Sequence, residues 1–137
     1  MLNRNSQISV EYMIIIGFVT VITIPLIVIY YTFTEDSRDE IISAQIDQIA
    51  KAISDSAESV YYFGEPSQTN LKINLPDNIV LFNLSNNEIV FRIKTRAGQA
   101  DIVQSSLVNI TGSLPVKKGA YTVTIKAKSN YVNVSYK

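Results

Sequence analysis

Three polar residues stand at two-residue spacing in front of a long apolar stretch. The segment QISVEY places Gln7, Ser9 and Glu11 between apolar neighbours. A carboxylate beside hydrocarbon is unfavourable unless a cation or hydrogen-bond donors compensate it. Arg4 is the only basic side chain ahead of Glu11. Glu11 is therefore a candidate for pairing with a cation.

The composition offers little for catalysis. The 137 residues include no histidine and no cysteine, which removes the commonest general base, the thiolate nucleophile, disulfides and thiolate metal sites. There is no glycine-rich phosphate loop and no G-x-S-x-G motif, and the acidic residues are scattered. Basic and acidic residues number 12 each, which does not favour a nucleic-acid partner. We expect a protein that is not an enzyme and has no catalytic residues, metal or cofactor.

Residues 12–33 form the strongest pattern in the chain, a run of 22 residues without a charge. As a helix it would extend about 33 Å, which is enough to cross the hydrocarbon core of a bilayer. Arg4 precedes the run and the acidic segment 35–40 follows it. The positive-inside tendency therefore places the amino terminus in the cytoplasm and everything after Phe33 outside. Pro25 interrupts the run and is expected to kink the helix.

An amphipathic pattern continues the helix beyond the apolar run. Its apolar residues recur at spacings of four, three, four and seven as a narrow stripe: Ile42, Ile46, Ile49, Ile53 and Val60. Gly64 and Pro66 are typical of a helix end, so we expect a helix over residues 7–62. The stripe either packs on the protein's own carboxy-terminal domain or forms a coiled-coil seam. The acidic segment 35–40 is either a solvated helix turn or a site for a divalent cation.

After the helix the pattern changes to the two-residue period of β-strands. Leu71, Ile73 and Leu75, for example, alternate with polar residues. Turn residues separate about six such segments, at residues 70–75, 78–84, 87–95, 100–110, 120–129 and 131–137. We predict an α+β protein, in which a long N-terminal hydrophobic and amphipathic helix precedes a small antiparallel all-β head, a sandwich-like or curled sheet. Such a small head has a marginal core, so we expect the isoleucine stripe to pack against it.

The zero net charge conceals two halves of opposite sign. Residues 1–62 carry a net charge of −5 and residues 63–137 a net charge of +5. The basic residues of the second half could grip an anionic surface, meet the acidic helix segment of a neighbouring copy, or lie on ordinary solvated strand faces. They include Arg92, Lys94, Arg96, Lys117, Lys118, Lys126 and Lys128.

Three N-x-S/T sequons begin at Asn83, Asn109 and Asn133. Chance alone would place about two sequons in a chain with this content of asparagine, serine and threonine. Each is a candidate for N-glycosylation if the head lies outside the cell.

Together, the short leader, the QISVEY motif, the apolar helix and the β-rich head resemble an archaeal type IV pilin. QISVEY is similar to the Q-x-S-x-E signature of class III signal peptides, which a prepilin peptidase cuts immediately before the glutamine. The resemblance implies a leader of residues 1–6, cleavage between Ser6 and Gln7, and a mature chain of 131 residues in which Glu11 is the fifth. The family usually has Lys/Arg-Gly before the cleaved bond, where this chain has RNS.

Cleavage would expose the α-amine of Gln7 at the same apolar tip as Glu11. In a bundle of packed helices, the amine of one copy can pair with Glu11 of a neighbour, so that neither charge stays alone in an apolar medium. The resemblance implies the structural subunit of an adhesive pilus, a homo-oligomeric helical filament. Its partners would be the prepilin peptidase, the pilus assembly machinery, and other cells or an anionic surface.

The resemblance also implies where the chain resides. The precursor is expected in the cytoplasmic membrane with its N-terminus inside, and the mature chain in an extracellular cell-surface filament, with residues 63–137 as the extracellular head.

Two alternatives remain open at the level of sequence. The chain could be a minor pilin-like surface protein whose head binds a ligand such as a sugar. It could also be a single-pass membrane protein that never polymerises, with Glu11 at the headgroup level. An archaellin, the subunit of a rotary filament, fits less well because its leader junction normally reads differently.

Overall fold

A computed structural model describes residues 4–85 and 87–137, with side chains from Ser9 onward; residues 1–3 of the predicted leader lie outside the described residues. The described residues form one helix and seven strands: α1 (Arg4–Phe63), β1 (Gln68–Leu75), β2 (Ile79–Ser85), β3 (Glu88–Thr95), β4 (Gly98–Ser105), β5 (Ile110–Gly112), β6 (Gly119–Ala127) and β7 (Val132–Tyr136). The predicted α+β architecture is confirmed. The helix begins earlier and ends one residue later than the predicted range 7–62.

The chain divides into two compact units, Met1–Arg38 and Asp39–Lys137, which we call the amino-terminal and carboxy-terminal units. The amino-terminal unit contains the apolar part of α1. The carboxy-terminal unit contains helix residues 39–63 together with all the described strands. The last seven turns of α1 thus belong with the β-strands, whereas the sequence suggested a division into residues 7–62 and 63–137.

The strands form two sheets. A four-stranded sheet has the order β1-β6-β7-β5, and a three-stranded sheet has the order β2-β3-β4. All neighbouring strands run antiparallel except β5 and β7, which pair in parallel over three residues. The strand β2 lies beside β5, so the two sheets adjoin at these edges.

The segment 100–110, predicted as one strand, is two strands with a loop between them. The backbone N–H of Ser106 still donates to the carbonyl of Asn87 at 2.7 Å, and the carbonyl of Asn109 already accepts the N–H of Val132 at 2.8 Å. Between them, the backbone N–H of Leu107 donates to a carboxylate of α1 at 3.0 Å, and the side chain of Val108 is buried. The strand β5 then enters beside β7 in the same direction. The head therefore has seven described strands rather than about six, and one pair is parallel.

The core of the carboxy-terminal unit lies between α1 and the inner faces of both sheets. Ile46, Ile53 and Val60 of the isoleucine stripe are buried, and Ile42 and Ile49 pack against the same cluster. The expectation that the stripe packs on the protein's own head is confirmed, which leaves no exposed seam for a coiled coil on this side of α1.

Three small helix residues, Ala50, Ser54 and Ala57, are also buried. A small side chain on the inner face of a helix lets a neighbouring strand or loop approach closely. The buried stripe is therefore wider than the large apolar residues alone indicate.

Gly64 ends the helix as predicted. It has a positive φ of 75°, and its N–H donates to the carbonyls of Val60 and Tyr61 at 3.1 and 3.0 Å. Such bonds satisfy carbonyls of the last turn that have no partner inside the helix.

Candidate assembly surface

The apolar run is helical throughout, and its large apolar side chains lie on the surface. Between residues 12 and 33 their exposed fractions range from 45% at Ile22 to 71% at Met13 and Phe33. By length and composition α1 is long and apolar enough to cross a membrane. Since exposed apolar area of this extent is unfavourable in water, lipid or other protein must cover it.

Three threonines inside and beside the run are satisfied within the helix itself. The hydroxyls of Thr20, Thr32 and Thr34 each donate to the carbonyl four residues earlier, at 2.8, 2.9 and 2.9 Å. Bonds of this kind remove the cost of placing a hydroxyl in an apolar medium.

Pro25 lies inside α1, which is assigned as helix on both sides of it. Proline has no N–H, so the carbonyl of Val21 lacks its usual helical partner. The kink expected at Pro25 stays a prediction.

Ser9 and Glu11 of the signal motif lie near the start of α1, in its second and third turns, and both are exposed. Residues two apart on a helix point to roughly opposite sides, so the two side chains do not form one cluster. Ser6 and Gln7, the predicted cleavage residues, lie in the helical backbone, and their side chains lie outside the described residues. Glu11 is thus an exposed carboxylate one residue before the uncharged run.

Two acidic residues of α1 hold loops of the head. One carboxylate oxygen of Asp39 accepts the backbone N–H of Arg96 at 2.8 Å. The Oε1 of Glu58 accepts the N–H of Leu107 at 3.0 Å, and the buried hydroxyls of Ser54 and Ser106 lie 3.5 Å from it. These bonds tie the β3–β4 turn and the β4–β5 loop to the helix.

Neither tethering role follows from the sequence patterns. Asp39 belongs to the acidic segment predicted as a solvated turn or a cation site, yet it is half-buried and accepts a backbone bond. For Glu58, the available signal is Ser54 one helical turn earlier, beside small residues that line the core.

Among the described residues no cluster of metal-ligating side chains forms, and the clefts are open. Within ranges 4–85 and 87–137, no three acidic side chains come together as ligands of a metal ion. Two open clefts of about 400 and 280 Å³ lie between α1 and β1, and each is lined by a single charged side chain, Asp55 in one and Lys72 in the other.

The structure distributes the predicted basic residues over several surfaces. Arg92 and Asp101 are directly opposite each other on β3 and β4 and form a bidentate ion pair of 2.7 and 2.8 Å. The guanidinium holds the pKa of Asp101 below its ordinary value, chiefly through the hydrogen bond, and the carboxylate raises the pKa of Arg92. The Nζ of Lys128 lies 4.0 Å from the Oε1 of Glu65.

The remaining basic residues do not form one patch either. Lys94 is on the three-stranded sheet and Lys126 on the four-stranded sheet, while Lys117 and Lys118 precede β6. Arg96 lies in the β3–β4 turn tethered to Asp39. The predicted set therefore does not meet on a single face.

The three sequons differ in accessibility. Asn83 is exposed on β2, and its amide donates to the hydroxyl of Ser85 at 3.2 Å. Asn109 is exposed in the loop before β5. Asn133 is half-buried in β7, an inner strand of the four-stranded sheet, opposite Lys126. An attached glycan fits more readily on Asn83 and Asn109 than on Asn133.

Comparisons of the chain with models of protein families, with curated proteins and with solved structures gave no significant match.

Proposed function

We propose that the chain is the structural subunit of a cell-surface filament of the archaeal type IV pilus kind, assembled through its N-terminal helix after a prepilin peptidase removes the leader. The observation that carries the proposal is the QISVEY motif near the start of α1, followed by the apolar run, whose large side chains between residues 12 and 33 are exposed. In this proposal the apolar helices of many copies form the filament core, and the β-rich heads lie outside.

A filament subunit needs one part that assembles and another part that folds on its own, and the structure supports both. The carboxy-terminal unit has its own buried core, and the last seven turns of α1 form one side of that core. The apolar residues before position 34 are not part of that core. They are therefore available to pack in lipid before assembly and against other copies afterwards.

Glu11 has a defined role in this proposal. It pairs with the α-amine that cleavage exposes on Gln7 of a neighbouring copy and so sets the axial register between helices. An uncut leader blocks that amine. The uncleaved precursor is accordingly expected to stay in the membrane.

The first experiment is mass mapping of the amino terminus of the protein sheared from native cells. We expect a terminus at Gln7 on material that sediments as filaments, and the same spectra report whether Asn83 and Asn109 carry glycans. A terminus at Met1, with all the protein in the membrane fraction, contradicts the proposal and favours a single-pass membrane protein that never polymerises.

Substitution of Glu11 tests the pairing directly. We expect Glu11→Gln to lower the amount of sheared filament at least tenfold, since leaving a buried cation without its partner costs about 3–5 kcal/mol. The matched control is Glu35→Gln, an exposed carboxylate after the apolar run, which should assemble like the wild type. Normal filaments from Glu11→Gln would exclude the proposed pairing.

A further inference from the structure

The outer face of the four-stranded sheet carries lysines. Alternate residues of β1, β6 and β7 fill the core, so the residues between them lie on the outer face of the sheet. No strand of this sheet contains an aspartate or a glutamate. We call this surface, with Lys72, Lys126 and Lys137, the lysine face.

Strand register defines the spacing on the lysine face. Lys72 is opposite Thr122, whose carbonyl accepts the N–H of Lys137 at 3.0 Å, so these residues form one row across the sheet. Lys126 lies four residues further along β6, which places it about 14 Å from Lys72. Between them lie Asn70 and Thr124, which hydrogen bond to each other at 2.9 Å, and Ser135 opposite Thr124.

The exposed side of α1 carries the opposite charge. Glu40, Asp47 and Asp55 are exposed on the side of the helix that faces away from the core, and Lys51 is the one cation among them. We call these three residues the acidic stripe. Asp47 and Asp55 are eight residues apart, or about 12 Å along the helix. This spacing is close to the 14 Å between Lys72 and Lys126.

The two surfaces form no ion pair within one molecule. Asp55 and Lys72 each line a cleft between α1 and β1, but among the described residues neither Lys72 nor Lys126 pairs with Asp47 or Asp55. The charges of both surfaces are therefore available to a second copy. A contact between two different surfaces of the same chain is heterologous, and it repeats from copy to copy into an open filament when the rotation does not close a ring.

We propose that the lysine face of one copy binds the acidic stripe of a second copy, with Lys72 and Lys126 against Asp55 and Asp47. This inference rests on the proposed filament and adds to it a specific contact between heads. Exposed ion pairs are individually weak and are screened by salt, so the contact sets the orientation of the heads while the apolar helices supply most of the association.

The test uses the absence of cysteine in the native chain. Full-length Asp47→Cys and Lys126→Cys copies are mixed in liposomes, where confinement to the membrane brings heads together, and are treated with a short bis-maleimide cross-linker. We expect a cross-linked dimer from this mixture. The matched control replaces Lys126→Cys with Lys94→Cys, on the outer face of the other sheet, and should give little dimer. Equal yields from both mixtures would overturn the inference.

Charge reversal provides the second measurement. Lys72→Glu on the Lys126→Cys copy, or Asp55→Lys on the Asp47→Cys copy, should remove most of the dimer, and the two reversals together should restore it. Lys118→Glu, outside the lysine face, should have no effect. Dimer yields that ignore the reversals would overturn the inference. A Lys72→Glu variant that keeps its dimer but no longer binds polygalacturonate would also overturn the inference. The lysine face would then be a binding surface for an anionic polymer.

The outcome can be separated from that of the proposed function. A charge-dependent dimer in liposomes, without filaments on cells, contradicts the filament but keeps the contact between heads. Filaments that form normally, without a charge-dependent dimer, contradict only the contact.

Discussion

At the scale of single residues, Gly112 is the position where the backbone geometry is most restrictive. It has a φ of 137°, and a Cβ built on it would overlap the backbone carbonyl of Val134 in the neighbouring strand β7. Gly98 has nearly the same φ, 136°, but open space around it. The two glycines therefore separate the cost of backbone strain from the cost of a close approach between strands.

We expect Gly98→Ala to lower the free energy of unfolding by about 1–3 kcal/mol, the cost of holding alanine at a conformation that favours glycine. Gly112→Ala should cost more than about 4 kcal/mol, because the overlap with Val134 adds to that strain. Urea unfolding of the full chain in detergent micelles, followed by the near-ultraviolet circular dichroism of tyrosine, measures both. Equal losses would show that β5 and β7 can move apart without cost.

The Arg92–Asp101 pair is the residue-scale feature that responds to pH. Because the pKa of Asp101 is lower in the folded chain than its ordinary value of 3.8, the pair stabilises the fold at neutral pH, and this contribution is lost as the pH falls below that value. Both side chains are exposed, so the contribution is small.

The predicted effect is measured by comparing the wild type with Asp101→Asn in urea unfolding near neutral pH and at about pH 3. The variant should be less stable than the wild type at neutral pH, and the difference in stability should be smaller at the low pH. A difference that is the same at both pH values would show that the carboxylate charge does not contribute.

At the scale of elements, the last seven turns of α1 hold the two sheets together. Ile53 is fully buried among residues from both sheets, whereas Ile41 on the same helix is 58% exposed. Ile53→Ala should lower the free energy of unfolding by about 2–5 kcal/mol, through lost burial and the cavity that remains. Ile41→Ala should change it little. Similar effects of both substitutions would mean that this part of the helix does not pack as described.

Much of this element could be predicted from the sequence, because large apolar residues at helical spacing must be covered in a protein of this size. The burial of Ala50, Ser54 and Ala57 could not be predicted. Small residues carry little hydrophobic signal and occur as readily on a solvated face of a helix as on a buried one. Their burial depends on how closely the strands approach, which is a property of the assembled core.

The strands, too, could be predicted from the sequence only in part. Alternation of apolar and polar residues predicted β1, β3, β6 and β7 to within a few residues. The short strand β5 and its parallel partner could not be predicted, because three residues carry no periodicity. Their pairing depends on the loop that Glu58 holds against α1.

At the scale of the whole molecule, charge and hydrophobicity are both unevenly distributed along the chain. The long continuous run of exposed apolar residues lies before position 34, and the lysine face and the acidic stripe lie in the carboxy-terminal unit. The QISVEY motif and the apolar run could be read from the sequence. The lysine face could not be read in the same way, because Lys72 and Lys126 are far apart in sequence and only the pairing of β1 with β6 brings them to one surface.

The threonines of α1 have a consequence for how such a helix changes its surroundings. Because Thr20, Thr32 and Thr34 already use their hydroxyl hydrogens on the helix's own carbonyls, they need no donor or acceptor from outside. Transfer of these three side chains from lipid to protein would leave those hydrogen bonds intact and exchange only van der Waals contacts. For these positions the move breaks no hydrogen bond in either direction.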